Sequence, residues 1–252
     1  MKSPLKSNVN FRSLSAVNGK LEPKSNISSF LLYDGNLEIG LSRSGHTVVA
    51  HTNRKAIYEF WALLLKDSET LGASVANLFP TLQPHQFPML QETWFMTRTA
   101  LGRATLFFIL NNCSSTGYVS QGTIERDRFN PVGLSRLKNF KVERLYPYYD
   151  DCEDAFEGLS RATHTDYIII PAGNYSMNLF EYGKNRGHDT TLVHHRNLCE
   201  RMKEIDRKWL LIYKKHPSLF TLYNNYDITM VDAYGKPTAQ KNRCEEMIIA
   251  NF

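Results

Sequence analysis

Short apolar runs alternate with stretches of helical spacing along most of the chain. Phe30-Leu31-Leu32-Tyr33, His46-Thr47-Val48-Val49-Ala50, Lys141 to Leu145, Tyr167-Ile168-Ile169-Ile170 and Trp209-Leu210-Leu211-Ile212-Tyr213 predict strands. Helical spacing joins Leu37, Ile39, Gly40 and Leu41, and then Ile57, Phe60, Trp61 and Leu64, a helix that Asn53 is placed to cap. Further helices are expected over Leu101 to Leu110, Ala155 to Leu159, Leu192 to Ile205 and Phe220 to Tyr223. Two closing strands, Ile228 to Val231 and Glu246 to Ala250, read as a hairpin joined through Tyr234-Gly235-Lys236-Pro237. Strands that alternate with helices predict an α/β fold with a mostly parallel sheet.

Three stretches break the alternation. Residues 1–28 are polar and rich in Ser, Asn and Lys, and read as an irregular arm. Residues 66–98 carry Pro80, Pro84 and Pro88, and the polar residues 111–140, with Gly117, Gly122 and Gly133, read as a hairpin or long loop. Together they suggest an inserted subdomain over 66–140, between sheet-forming parts 1–65 and 141–252. Residues 176–188 form a polar loop with Gly183 and Gly187.

An apolar fraction of 42% with 12% aromatics suits a packed core and argues against disorder. Lys plus Arg number 30 against 25 for Asp plus Glu, a net charge of +5 that permits a nucleic-acid partner without demanding one. Cys113, Cys152, Cys199 and Cys244 are far apart, which speaks for a reducing compartment rather than a disulfide framework or zinc site. The start, Met1-Lys2-Ser3-Pro4, leads into no apolar segment of signal-peptide type, and no run approaches the ~20 apolar residues of a membrane helix. No membrane partner is expected.

The loop after the Tyr167–Ile170 strand is where an open α/β sheet places its chemistry. It reads Ala172-Gly173-Asn174-Tyr175, with no strong acid, base or nucleophile. Its surroundings run collinear with a known family. Leu106 to Asn111, Gly117 and Phe129-Asn130 match a Leu-Asn…Gly…Phe-Asn segment. Val142 to Leu145 match the strand before a Gly-Asp loop, and 167–170 with Tyr175 match the strand and tyrosine of Asp-Pro-Pro-Tyr. His195 to Leu198, Lys208 to Tyr213, Leu222 to Ile228 and Glu245 to Phe252 complete the series. The chain therefore resembles the Dam-like adenine-specific DNA methyltransferases, almost end to end. The resemblance implies a Rossmann-like S-adenosylmethionine-methyltransferase fold, with a reversed terminal hairpin and a helical DNA-recognition insertion.

The family's chemistry does not follow. Pro4-Leu5-Lys6 matches the family opening, but Ser7 to Phe11 then replace its glycines and second lysine, with Asn10 among the degraded positions. The Gly-rich cofactor turn is reduced to Gly35 within Tyr33-Asp34-Gly35-Asn36-Leu37-Glu38. Thr52 stands where an acid grips the ribose hydroxyls, and Tyr148 where an acid lies near the cofactor adenine. Ala172 replaces the acceptor of the target amino group. Each lost charged hydrogen bond is worth roughly 1.5–3 kcal/mol. These losses imply a chain with no cofactor and no methyl transfer, acting as a binding, interaction or structural protein. The alternative is an active adenine methyltransferase with a divergent site.

Arg126, Arg128, Arg136, Lys138 and Lys141 fall in the segment that matches the DNA-reading hairpin, where positive charge suits phosphate contacts or simply solvates a loop. Ser120 replaces the family's base-reading arginine, so readout of sequence is not expected. Partners implied are DNA, an active methyltransferase paralogue or a larger assembly. The implied location is the cytoplasm, or a virion if the chain is phage-encoded. Other features read as ordinary structure: Tyr175 as packing, His188, His194 and His195 as polar positions, Asp150 to Asp154 as a solvated helix start, and Asp34 with Glu38 as surface acids of one helix.

Overall fold

A computed structural model describes residues 2–7, 11–162, 164–175, 187–191 and 193–252. The sequence positions Asn10, Gly183 and Leu192, and most of the 176–188 loop, lie outside the described residues. Seven strands form one sheet: β1 (Asn26–Ser29), β2 (Thr47–Thr52), β3 (Leu145–Tyr149), β4 (Tyr167–Gly173), β5 (Lys208–Lys214), β6 (Asp227–Asp232) and β7 (Cys244–Ala250). Their order is β3-β2-β1-β4-β5-β7-β6. The first five run parallel, and β7 is antiparallel to both β5 and β6. This is the Rossmann-like methyltransferase fold, a mostly parallel sheet with a reversed terminal hairpin.

Both faces of the sheet are buried, and the period-2 alternation of its strands decides which residue meets which layer. Ile169, Leu210, Ile212, Ile248 and Ala250 face one core, while Ile168, Ile170, Trp209, Leu211, Tyr213, Met247 and Ile249 face the other. The first core is covered by α1 (Leu14–Asn18), α2 (Asn36–Arg43), α3 (Lys55–Lys66), α4 (Ser68–Leu78), α5 (Phe87–Thr93), α6 (Ala100–Cys113) and α7 (Pro131–Lys138). A 3-10 turn at Glu157–Arg161, α8 (His195–Lys203) and α9 (Ser218–Leu222) cover the second. Segment 66–140 shares the first core: Phe60 of α3 packs against Phe107 and Phe108 of α6, at 5.4 and 6.3 Å between ring centroids.

Several local expectations are corrected. The first strand is not Phe30 to Tyr33 but the more polar Asn26–Ser29, because Leu31 adopts φ 64° and ends the extended run. Phe30 and Leu32 still donate to the Ile169 and His51 carbonyls. The arm 1–28 is not irregular throughout, since it contains α1 and most of β1. The third strand begins where the expected one ended, at Leu145. Helix α3 is preceded by Arg54 with no side-chain cap, while Asn53 instead donates to the Glu153 carbonyl at 2.8 Å and accepts from Thr191. Segment 111–140 is not a hairpin: one bridge pairs Ser114 with Ile124, and α7 follows.

Candidate functional site

Between β1 and β4 the order of strands reverses, and their carboxyl ends part. Open α/β sheets bind ligands at such a point. Here a cavity of about 400 Å³ opens, walled by Leu31 to Gly35 after β1, by Leu37 and Glu38 of α2, and by Pro171 to Asn174 at the end of β4. Phe11, Arg54, Tyr118, Asp189 to Thr191, Val193 and His195 complete it.

The turn that enters the cavity is set by Gly35. Its φ is 69°, a left-handed value that costs a residue with a side chain, and any Cβ there would overlap the Trp61 indole. Trp61 is in turn fixed by its Nε1, which donates to the Tyr33 carbonyl at 2.8 Å. Asp34 accepts from the Asn36 amide at 2.9 Å and from the Ser7 hydroxyl. Burial raises the Asp34 carboxyl above its usual range, against the pull of these donors.

Glu38 is the least expected member. It is not a surface acid: only 3% of it is exposed. Its Oε1 accepts from Ser29 Oγ at 2.7 Å, and no other side chain among the described residues donates to it. Burial pushes its carboxyl up to about 7. Asp189, also buried, accepts from the Val119 and Ser120 amides at 2.6 and 3.1 Å and from the Tyr33 hydroxyl at 3.2 Å. The single Tyr33 hydroxyl hydrogen is shared between Asp189 and the nearer Gly117 carbonyl, at 2.7 Å, and burial holds the phenol well above the ordinary range.

At the far wall, Ala172 and Gly173 are the last two residues of β4, and Asn174 is exposed beyond them. Tyr175 packs between His195 and His216, at 4.9 and 4.7 Å between centroids. His195 Nδ1 lies 3.1 Å from the Tyr213 hydroxyl. Burial, with His194 and His216 near, pushes the His195 imidazole down to about 4, so it is neutral at neutral pH. Among the described residues no three His, Cys, Asp or Glu are grouped to hold a metal ion.

The other sequence-selected positions stand apart from the cavity. Thr52 closes β2, buried, with its hydroxyl accepting from the Arg54 amide at 3.2 Å. Tyr148 lies inside β3, half exposed, with its ring 5.1 Å from that of His51. The residue that follows β3 is Asp150, which is buried and 3.0 Å from His51 Nδ1. The acidic run is therefore not a solvated helix start; no helix begins there, and Asp154 pairs with Arg201 at 2.7 Å. Of the basic residues, Arg126 lies 5.1 Å over the Phe79 ring and Arg128 pairs with Glu125 at 2.8 Å. Arg136 and Lys138 sit in the last turn of α7, and Lys138 and Lys141 are exposed.

Glu38 carried a sequence signal, because it interrupts the apolar series Leu37, Ile39, Leu41 of a short helix. Asp189 carried none. No protein-family model matches the chain, and none of the curated proteins matches it. Solved structures with partial likeness include a predicted O-methyltransferase, Atu636 of Agrobacterium tumefaciens, at 9% identity over 95% of this chain and 78% of that one, with a TM-score of 0.36. The rRNA methyltransferase aviRa of Streptomyces viridochromogenes is 10% identical over 92% of this chain and 78% of that one, also at 0.36. The fold class rests on strand order and direction.

Proposed function

We propose that this chain is a methyltransferase-fold binding protein that does not transfer methyl groups. One observation carries the reading: the β4 wall of the cavity is Ala172, Gly173 and Asn174, and none of these can ionise. The resemblance places there an aspartate that accepts from the target amino group. The acid after β3, Asp150, is engaged by His51 rather than free for a cofactor. Isothermal titration with millimolar S-adenosylmethionine tests the reading. No saturable heat is expected, and a clear isotherm overturns it.

DNA contact through segment 126–141 belongs to the same proposal, in a form that does not select sequence. Lys138 and Lys141 are exposed and face solvent with charge suited to phosphate. Arg126 and Arg128 have aromatic or acidic neighbours and contribute less. An active paralogue or a larger assembly is the other partner class, and affinity purification from the native host distinguishes the two.

A second reading has its own support. Glu38, buried in the cavity and held near neutrality, has the environment of an acid–base group. It favours a working adenine methyltransferase with a divergent site. A tritiated methyl-transfer assay on adenine-containing duplex DNA decides between them, and labelled product would displace the first reading.

A further inference from the structure

We propose that the cavity between β1 and β4 receives a compact organic cation, a protonated amine or amidine on an aromatic or apolar body, with Glu38 as its counter-ion. The inference deepens the binding reading of the same cavity. Three carboxylates line it, but two are already served. Asp34 takes the Asn36 amide and the Ser7 hydroxyl, and Asp189 takes two amides and a share of the Tyr33 hydroxyl. Glu38 is buried with a single side-chain donor, Ser29. Its own backbone amide is its other donor, so Glu38 holds fewer donors than Asp189, and a cation placed beside a buried carboxylate with few donors relieves the cost of its charge.

The same geometry excludes other ligands. A phosphate at the start of α2 would compete with Asp34 for the Asn36 amide and would meet the carboxyl groups of Asp34, Glu38 and Asp189 on the cavity wall. A bare metal ion finds no grouped ligands among the described residues. Phe11, Tyr33, Tyr118 and the leucines of the wall offer apolar and aromatic surface, which suits the body of an organic cation and the faces on which its charge can rest. The charged and titratable groups around Glu38 in the cavity are Asp34, Asp189, Arg54, Tyr33 and His195. His195 is neutral above its depressed range and adds no competing charge.

The test titrates the full chain with phenethylamine, with its uncharged isostere phenethyl alcohol and with adenosine monophosphate, followed by protein-observed NMR. Amine binding at millimolar concentration at pH 8 is expected, at least tenfold tighter than the alcohol, with no shifts from the nucleotide. Glu38→Gln should lose at least tenfold in amine affinity while its thermal melt stays cooperative. Should that variant fail to fold, the wild-type chain still decides, because amine affinity should fall several-fold between pH 8 and pH 6 as Glu38 gains its proton. No amine binding, equal binding of amine and alcohol, or preference for the nucleotide would each overturn the proposal. Failure here leaves the absence of methyl transfer standing. An S-adenosylmethionine isotherm with product would end that reading without deciding this one.

Discussion

Glu38 shows how much one side chain can record about its surroundings. In the folded chain it keeps its proton up to about pH 7, whereas an unperturbed carboxyl releases it near 4.5. Between those values the native state binds more protons than the unfolded one, so stability falls as pH rises from 4.5 to 7 and the full penalty persists above. The penalty is about 3 kcal/mol. Glu38→Gln should therefore be more stable than the parent at pH 8 and nearly equal to it at pH 4, read as urea midpoints at the two values. A midpoint that does not move with pH in the parent chain would refute the buried, near-neutral carboxyl. Gly35 makes the opposite prediction. Gly35→Ala forces a left-handed φ on alanine and drives its Cβ into Trp61, at a cost of about 2–4 kcal/mol, measured in the same denaturation. The glycine was visible in the sequence as a turn residue. The tryptophan that makes it necessary stands 26 residues away, at 61.

At the scale of elements, the N-terminal segment is tied to the far end of the chain. The Arg12 and Ser13 amides both donate to the fully buried carboxylate of Glu246 in β7, at 2.9 Å, and Lys214 of β5 pairs with the same group at 2.6 Å. Arg12 also donates to the Ala233 carbonyl in the turn after β6. Glu246→Ala leaves two amides and a lysine without their acceptor and should cost about 3 kcal/mol. Hydrogen exchange should quicken at Arg12 and Ser13 before the sheet core responds, and unchanged protection there would contradict the anchor. The later strands are legible because Tyr167 to Ile170, Trp209 to Tyr213 and Met247 to Ala250 are apolar enough to be buried on both faces. The first strand is not legible because its residues, Asn26-Ile27-Ser28-Ser29, are mostly polar. Ser29 is tolerated inside because its hydroxyl donates a hydrogen bond to Glu38, a pairing that no local pattern discloses.

Arg126, Arg128, Arg136, Lys138 and Lys141 fall in one short stretch around α7, and the cavity lies at the reversal of strand order. If segment 126–141 meets duplex DNA, a gel shift at low salt should weaken steeply as salt rises, because neutralised phosphates release counter-ions. Charge reversal at Lys138 and Lys141 should weaken binding of all sequences alike and lower the salt slope by about one for each phosphate that is no longer neutralised. Weakening confined to some sequences would instead indicate base readout. Among the described residues no helix is long and apolar enough to cross a membrane.

The alternation of strands with helices, the places of β2, β4 and β5 and the closing hairpin can be read directly from residue order, because burial on a pleated surface is a local periodic property and turn residues announce themselves. The register of β3 could not. A shift of a few residues made Asp150, rather than Tyr148, the group that follows the strand, and put it beside His51 across the sheet. Nor could the cavity be read, since Asp34, Glu38 and Asp189 meet only after the chain has wound back on itself. Burial of a charged group depends on everything packed around it, and that sum exists only in the folded molecule.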